Sequence, residues 1–266
     1  MASKRQLKRF IFKLERKLVR ERKKLSSKLA KELKRQLDEI IENDGTFESR
    51  TYDILMNAYL EIGMEFADKQ FNALTTGDFS KADRFFLDYW KEWIEQFVSI
   101  RVAEKVKNMD DWSLKRYNEV KQQIKEVIAE SPMSVPRSYI AEQLHEKLGR
   151  GVFSNSRAMT IARTETSAIA NLAKAKSAES WADQSEQSGQ RQFKMWVHRP
   201  SNSPRDNHVF LDGLIIETNE MFQVVAENGT TDYMSYPHDE NASAENVINC
   251  NCQVVYMSED YMNQLN

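Results

Sequence analysis

A chain of 266 residues has room for two ordinary domains, and with 41% hydrophobic and 29% charged residues and a mean hydropathy of -0.66 it reads as folded and helix-rich rather than disordered. The formal net charge of -2 hides an asymmetry, because Met1–Leu37 carries 15 Lys or Arg against Glu15, Glu21 and Glu32, so a local +12 is balanced by -14 over the remainder. The basic start lacks an apolar stretch and no run of about 18 apolar residues occurs, so neither a secretion signal nor a membrane span is expected and assembly in a cytoplasm is; two cysteines one residue apart exclude a disulfide framework.

Leu7, Ile11, Leu14, Leu18, Leu25, Leu29, Leu33 and Leu37, followed by Ile40 or Ile41, recur at spacings of three, four or seven. They predict a basic amphipathic helix over residues 1–45 that stops at Asn43-Asp44-Gly45. Lys8, Arg9, Arg16, Lys17, Arg20, Arg22, Lys23 and Lys24 fall on its other faces. They are either a solvated charged surface or a contact for nucleic acid or an acidic partner, since a run of one sign repels itself until something neutralises it.

A helical domain is expected over residues 46–131. It begins with Tyr52, Leu55, Tyr59, Ile62, Phe66 and Phe71, pauses at Thr75-Thr76-Gly77-Asp78, restarts after Ser80 through Phe85, Phe86, Tyr89, Trp90, Trp93 and Phe97, and ends with a helix from Leu114 to Ala129. An aromatic stripe at this spacing reads as core or helix-docking surface rather than as a base-stacking platform. Two prolines within Ser131-Pro132-Met133-Ser134-Val135-Pro136 mark a boundary. Residues 132–185 then carry Ile140, Leu144 and Leu148 on one face, a break at Gly149-Arg150-Gly151, and a long helix from Ser154 to Trp181 lined by small residues such as Ala158, Ala162 and Ala168. Asp183 to Gln190 reads as a linker.

From residue 186 to 258 the pattern alternates. Phe193, Met195 and Val197 point one way, and Pro200, Pro204, Asp212-Gly213, Asn228-Gly229 and Pro237 separate short apolar pieces such as Leu214-Ile215-Ile216 and Val254-Val255-Tyr256. The fold class that follows is α+β: long N-terminal helices and a helical middle, then a small loop-rich β unit of the kind that needs a staple.

Three patterns carry chemistry. In Ala162-Arg163-Thr164-Glu165-Thr166, Arg163 and Glu165 are two apart on a helix and cannot pair with each other; either each holds a different neighbour or both are helix-surface residues making ordinary contacts. The second is Trp196-Val197-His198 followed by Arg205-Asp206-Asn207-His208, with Asp206 able to cap a turn, His208 able to ligate, and Asp212-Gly213 forming a tight turn. In the third, Asn249-Cys250-Asn251-Cys252, a strand would turn both thiols to one side. Together they suggest a structural zinc ion on Cys250, Cys252 and His208, with His198, His238 or Asp206 as a fourth ligand; the alternative is two buried reduced cysteines beside a loop-ordering histidine.

Taken in order, Ala-Arg-Thr-Glu-Thr on an alanine-rich helix, a Trp-centred strand, Arg205-Asp206-x-His208-x-x-Leu211-Asp212-Gly213, Phe222, Tyr236-Pro237 and Asn249-Cys250-x-Cys252 resemble the Mu protein F-like head-morphogenesis family of tailed bacteriophages. The resemblance covers about Val135 to Tyr256, with Asn251 where the family usually has Arg and Tyr236-Pro237-His238-Asp239 in place of its acidic turn. It implies a minor capsid protein of the virion, packaged in the procapsid, associated with the portal, with capsid, scaffold or packaged DNA as partners, and not an enzyme. Two other functions are set against it: a metal-dependent nuclease or toxin-like enzyme in which His208 activates water, and a plain DNA-binding protein acting through the basic first helix.

Overall fold

The computed structural model describes residues 4–76, 87–129, 136–183, 189–200, 204–226 and 228–265. The expected pause at Gly77-Asp78, Ser80, Phe85 and Phe86, the boundary at Ser131-Pro132 and most of the linker at Asp183–Gln190 lie outside them. Among the described residues no helix is long and apolar enough to cross a membrane.

The leucine spacing of the first segment produces one helix, α1 (Lys4–Glu42), whose buried stripe runs Leu7, Leu14, Leu18, Leu25, Leu29, Leu33, Leu37 and Ile40. It ends where Asp44 and Gly45 take positive φ values of 52° and 108°, and the Gly45 N–H returns to the Ile40 carbonyl at 2.8 Å. Then come α2 (Thr51–Thr76), α3 (Leu87–Trp93), a π-turn at Ile94–Val98 and α4 (Ser99–Ala129). The sequence expects a helix only from Leu114 onward in this last stretch, but helix begins at Ser99. The buried stripe Val102, Val106, Ser113, Tyr117, Val120 and Ile124 is continuous. Ser113 masks it by occupying an apolar position, its hydroxyl bonded to the Met109 carbonyl at 2.8 Å.

Next are α5 (Arg137–Gly149) and α6 (Asn155–Ala182), the latter opened by Ser154, whose hydroxyl accepts the Arg157 N–H at 3.1 Å. The β layer follows: β1 (Gln192–Val197), the short α7 (Asp206–Val209), β2 (Ile215–Glu217), β3 (Phe222–Val225), β4 (Thr231–Met234), α8 (Ala244–Val247), β5 (Gln253–Ser258) and α9 (Glu259–Leu265). β2, β1 and β5 form an antiparallel sheet in that order, with Met195 opposite both Ile215 and Val255; β3 and β4 form a separate hairpin. The α+β expectation holds.

The chain divides into two compact units. One takes Lys23–Asn57 and Gln96–Ala162 and is built from helices closing on aliphatic and aromatic stripes. The other takes Met1–Arg22, Ala58–Glu95 and Arg163–Asn266 and contains both sheets. In this second unit the buried side of β1 is largely the reverse of the expected one: Gln192, Lys194 and Trp196 are buried, while Phe193 and Met195 are half-buried and only Val197, at the strand's end, is buried on their side.

β5 is an edge strand, and its outward backbone groups would go unpaired. Helix side chains pair them: the Asn171 amide accepts the Val254 N–H at 3.1 Å, the Lys174 ammonium donates to the Val254 carbonyl at 2.7 Å, and Gln70 donates to the Tyr256 carbonyl at 3.0 Å and accepts its N–H at 3.3 Å.

Candidate metal centre

The loop that carries the cysteines hangs from α6. Arg163 donates to the Asn249 side-chain oxygen, and the Thr164 hydroxyl accepts the Asn249 N–H at 2.9 Å. These two contacts hold Asn249 in the left-handed region, φ 62°, immediately before Cys250. Glu165, buried two residues along, receives the Tyr59 hydroxyl instead. Thr166 and Ser167 accept from the Arg22 guanidinium at 3.2 and 2.6 Å. Arg163 and Glu165 thus serve different neighbours, Asn249 and Tyr59, both from distant segments of the chain.

The opposite side is built by the second motif. Arg205 donates to the Ile248 carbonyl at 2.7 Å, and Asn207 donates to the Val225 carbonyl at 2.7 Å, so the first turn of α7 grips both the cysteine loop and β3. Asp212 accepts the His198 N–H at 2.8 Å, and Gly213, at φ 79°, returns its N–H to the Trp196 carbonyl at 2.9 Å. Trp196 is fully buried, edge-on to His208 and to Phe222 at centroid distances of 5.5 and 5.2 Å.

His208 is fixed by a chain of polar contacts. Asn246 donates its amide hydrogens to Asp232 at 2.7 Å, which leaves its oxygen facing His208 Nε2 at 3.3 Å. Nε2 therefore carries the proton, and the bare lone pair of Nδ1 points at Cys250 Sγ, 3.4 Å away, and Cys252 Sγ, 3.6 Å away. With Zn–S near ~2.3 Å and Zn–N near ~2.0–2.1 Å, ligand atoms at tetrahedral angles stand about 3.6 Å apart. The three buried groups already sit close to that spacing, and their ligand atoms all lie within 4.8 Å of one another. A divalent, tetrahedral, thiolate-binding metal fits this donor set.

Electrostatics agree with a thiolate at one position. Cys250 is held well below the ordinary thiol range by the hydrogen bond from Cys252, against the cost of burial, and Cys252 is correspondingly pushed up by that bond and by burial. Arg22 is brought down to about 10 by burial, with Arg163 adding to the fall and the Cys250 charge opposing it. Both cysteines are free of any disulfide.

Several expected residues fall elsewhere. Asp206 is exposed in the first turn of α7 and is not among the groups converging on the sulfurs. Cys250 and Cys252 precede β5 rather than lying in it; a turn, not strand alternation, brings them together. Of the eight basic candidates on α1, Lys8, Arg9, Arg16, Arg20, Lys23 and Lys24 are exposed. Lys17 is instead engaged with Glu65 at 2.6 Å, and Arg22 is turned into the fold against Thr166 and Ser167. Asn171, Asn246 and Asp232 hold this geometry through their side chains and carry no motif that sequence reasoning could have found.

The family described as Phage Mu protein F like protein matches residues 115–255, more than half of the chain and the whole of the cysteine loop. The chain belongs to this family. The Mu F-like chain is also similar to an uncharacterized protein, YqbB, of Bacillus subtilis (strain 168), 35% identical over 102 residues. That alignment covers 38% of this chain and 30% of the relative, so the chain spans under two thirds of that protein's length. No solved structure matches it.

Proposed function

We propose that this protein is a minor component of a tailed-phage head, packaged inside the procapsid beside the portal, where it aids head assembly or DNA packaging and delivery. The Mu F-like part is read as a helical portion over 132–185 and a β-rich portion over 186–258. The observation that carries the proposal is the match across residues 115–255 together with a cysteine loop tied to α6 by the family-type motif residues Arg163 and Thr164. Portal, capsid and scaffold proteins are the proposed partners, and the exposed basic face of α1 at Lys8, Arg9, Arg16, Arg20, Lys23 and Lys24 is the proposed contact for packaged DNA. A structural zinc ion on Cys250, Cys252 and His208 staples the β-rich portion.

Co-expression of the full chain with the portal, scaffold and major capsid proteins of its own phage tests the reading by sedimentation. Co-migration with portal-bearing procapsids, and its loss when the portal is omitted, is the expected result; a protein that sediments alone in both cases refutes it. Elemental analysis of the purified chain and of Cys250→Ser tests the zinc, and a metal-free wild type sinks it.

A further inference from the structure

Of the four histidines of the chain, His208 and His198 bring a ring nitrogen within 3.6 Å of a cysteine sulfur, and His145 faces Asp38 at 3.8 Å. A closed structural zinc site takes four protein ligands, and three are accounted for. The remaining place falls between His198 and His238. His198 is half-buried at the end of β1, with Nδ1 at 3.6 Å from Cys252 Sγ alone. His238 is 4% exposed, and neither of its ring nitrogens has a hydrogen-bond partner among the described residues. A buried imidazole with both nitrogens unpaired calls for an explanation, since such groups are otherwise satisfied.

The chain also spends conformational strain to put His238 there. Its φ is 68°, in the left-handed region, and the Asp239 carboxylate locks the turn by accepting the Ser235 N–H at 2.8 Å and the Asn241 N–H at 3.1 Å. The Asn171 amide then ties this turn to the cysteine loop, donating to the Pro237 carbonyl and to the Cys252 carbonyl, each at 3.0 Å. Two oxygens reached by one nitrogen lie at most about 6 Å apart.

We infer that His238 is the fourth ligand, so that the centre is Cys250, Cys252, His208 and His238, with His198 outside the coordination sphere and Asn171 as the residue that positions the two ligand loops. This rests on the zinc reading above and names the group that closes the site.

The test uses the full chain loaded with cobalt(II), whose visible spectrum reports tetrahedral geometry and whose thiolate-to-metal charge transfer counts sulfurs. His238→Cys should raise that charge-transfer absorption by about half as a third thiolate joins two, and His238→Ala should weaken cobalt binding by about tenfold or more. His198→Cys and His198→Ala should change neither. In the zinc-loaded wild type, nitrogen-15 spectra of labelled histidine should show two metal-bound rings. A single bound ring, unchanged charge transfer in His238→Cys, or the gain appearing in His198→Cys instead would overturn the assignment while leaving zinc in place. A wild type that takes up neither zinc nor cobalt defeats the zinc reading itself.

Discussion

The two compact units are held by different physics. In the helical unit of residues 23–57 and 96–162, burial follows period: Leu25, Leu29, Leu33, Leu37, Ile40, Val102, Val106, Val120 and Ile124 form stripes at helical spacing. In the unit that holds the sheets, the contacts that fix the arrangement are directional. Gln70, Asn171 and Lys174, all buried, pair the open edge of β5, and Asp232, Asn246 and His208 form a polar chain that ends at the thiols. Stripes tolerate substitutions of similar volume, whereas a hydrogen-bonded network loses stability whenever one buried partner is left unmade.

Asn171→Leu puts that contrast under the greatest load. It removes partners from the Pro237 and Cys252 carbonyls and from the Val254 N–H at once. At roughly 1–3 kcal/mol for each of the three buried groups left unsatisfied, a loss of about 3–9 kcal/mol is expected in denaturant unfolding. Leu29→Ala, at a fully buried position in the helical unit, should cost about 3 kcal/mol. If Leu29→Ala proves the more damaging of the two, the contrast between the units breaks.

Lys174 sharpens the comparison through pH. Burial brings its ammonium down to about 7 from an ordinary 10.5, the nearby Arg199 charge adding to the fall. Between those values the unfolded chain binds a proton that the folded chain does not, so this group makes stability rise with pH across the window. Relative to Lys174→Met, the wild type should gain about 2 kcal/mol between about pH 7 and about pH 9, followed by thermal unfolding in matched buffers. Parallel pH profiles for the two proteins would show that the lysine keeps its ordinary affinity for protons in the fold. The smallest effect is expected from Ser154→Ala, which removes only the hydroxyl that caps α6 and should cost about 1 kcal/mol. A cost near that of Asn171→Leu would mean that the start of α6 carries directional contacts as demanding as those around the cysteine loop.

The helical parts were largely legible in the residues. The leucine stripe predicts α1 to within a few residues of its ends, Asp44-Gly45 predicts its stop, and Ser154 the start of α6. One stretch was not, because Ser113 interrupts the apolar period of α4 although it is buried at 1% exposure. In the site, the two thiols and His208 could be named from their chemistry and motif order. Their supports could not: Asn171 lies 81 residues from Cys252, and nothing in its neighbours distinguishes it from a solvated helix residue.

The sequence by itself determined which segments are helices, that the last quarter is a small β layer, and which residues carry ligating atoms, because periodicity, turn chemistry and donor type are properties of neighbouring residues. Only the tertiary structure decided which face of β1 is buried, that Lys17 and Arg22 turn inward while Lys8, Arg9, Arg16, Arg20, Lys23 and Lys24 stay exposed, and that His238 is buried with its ring nitrogens unpaired. Each of these depends on which partners a distant element brings, and that is settled when the elements meet.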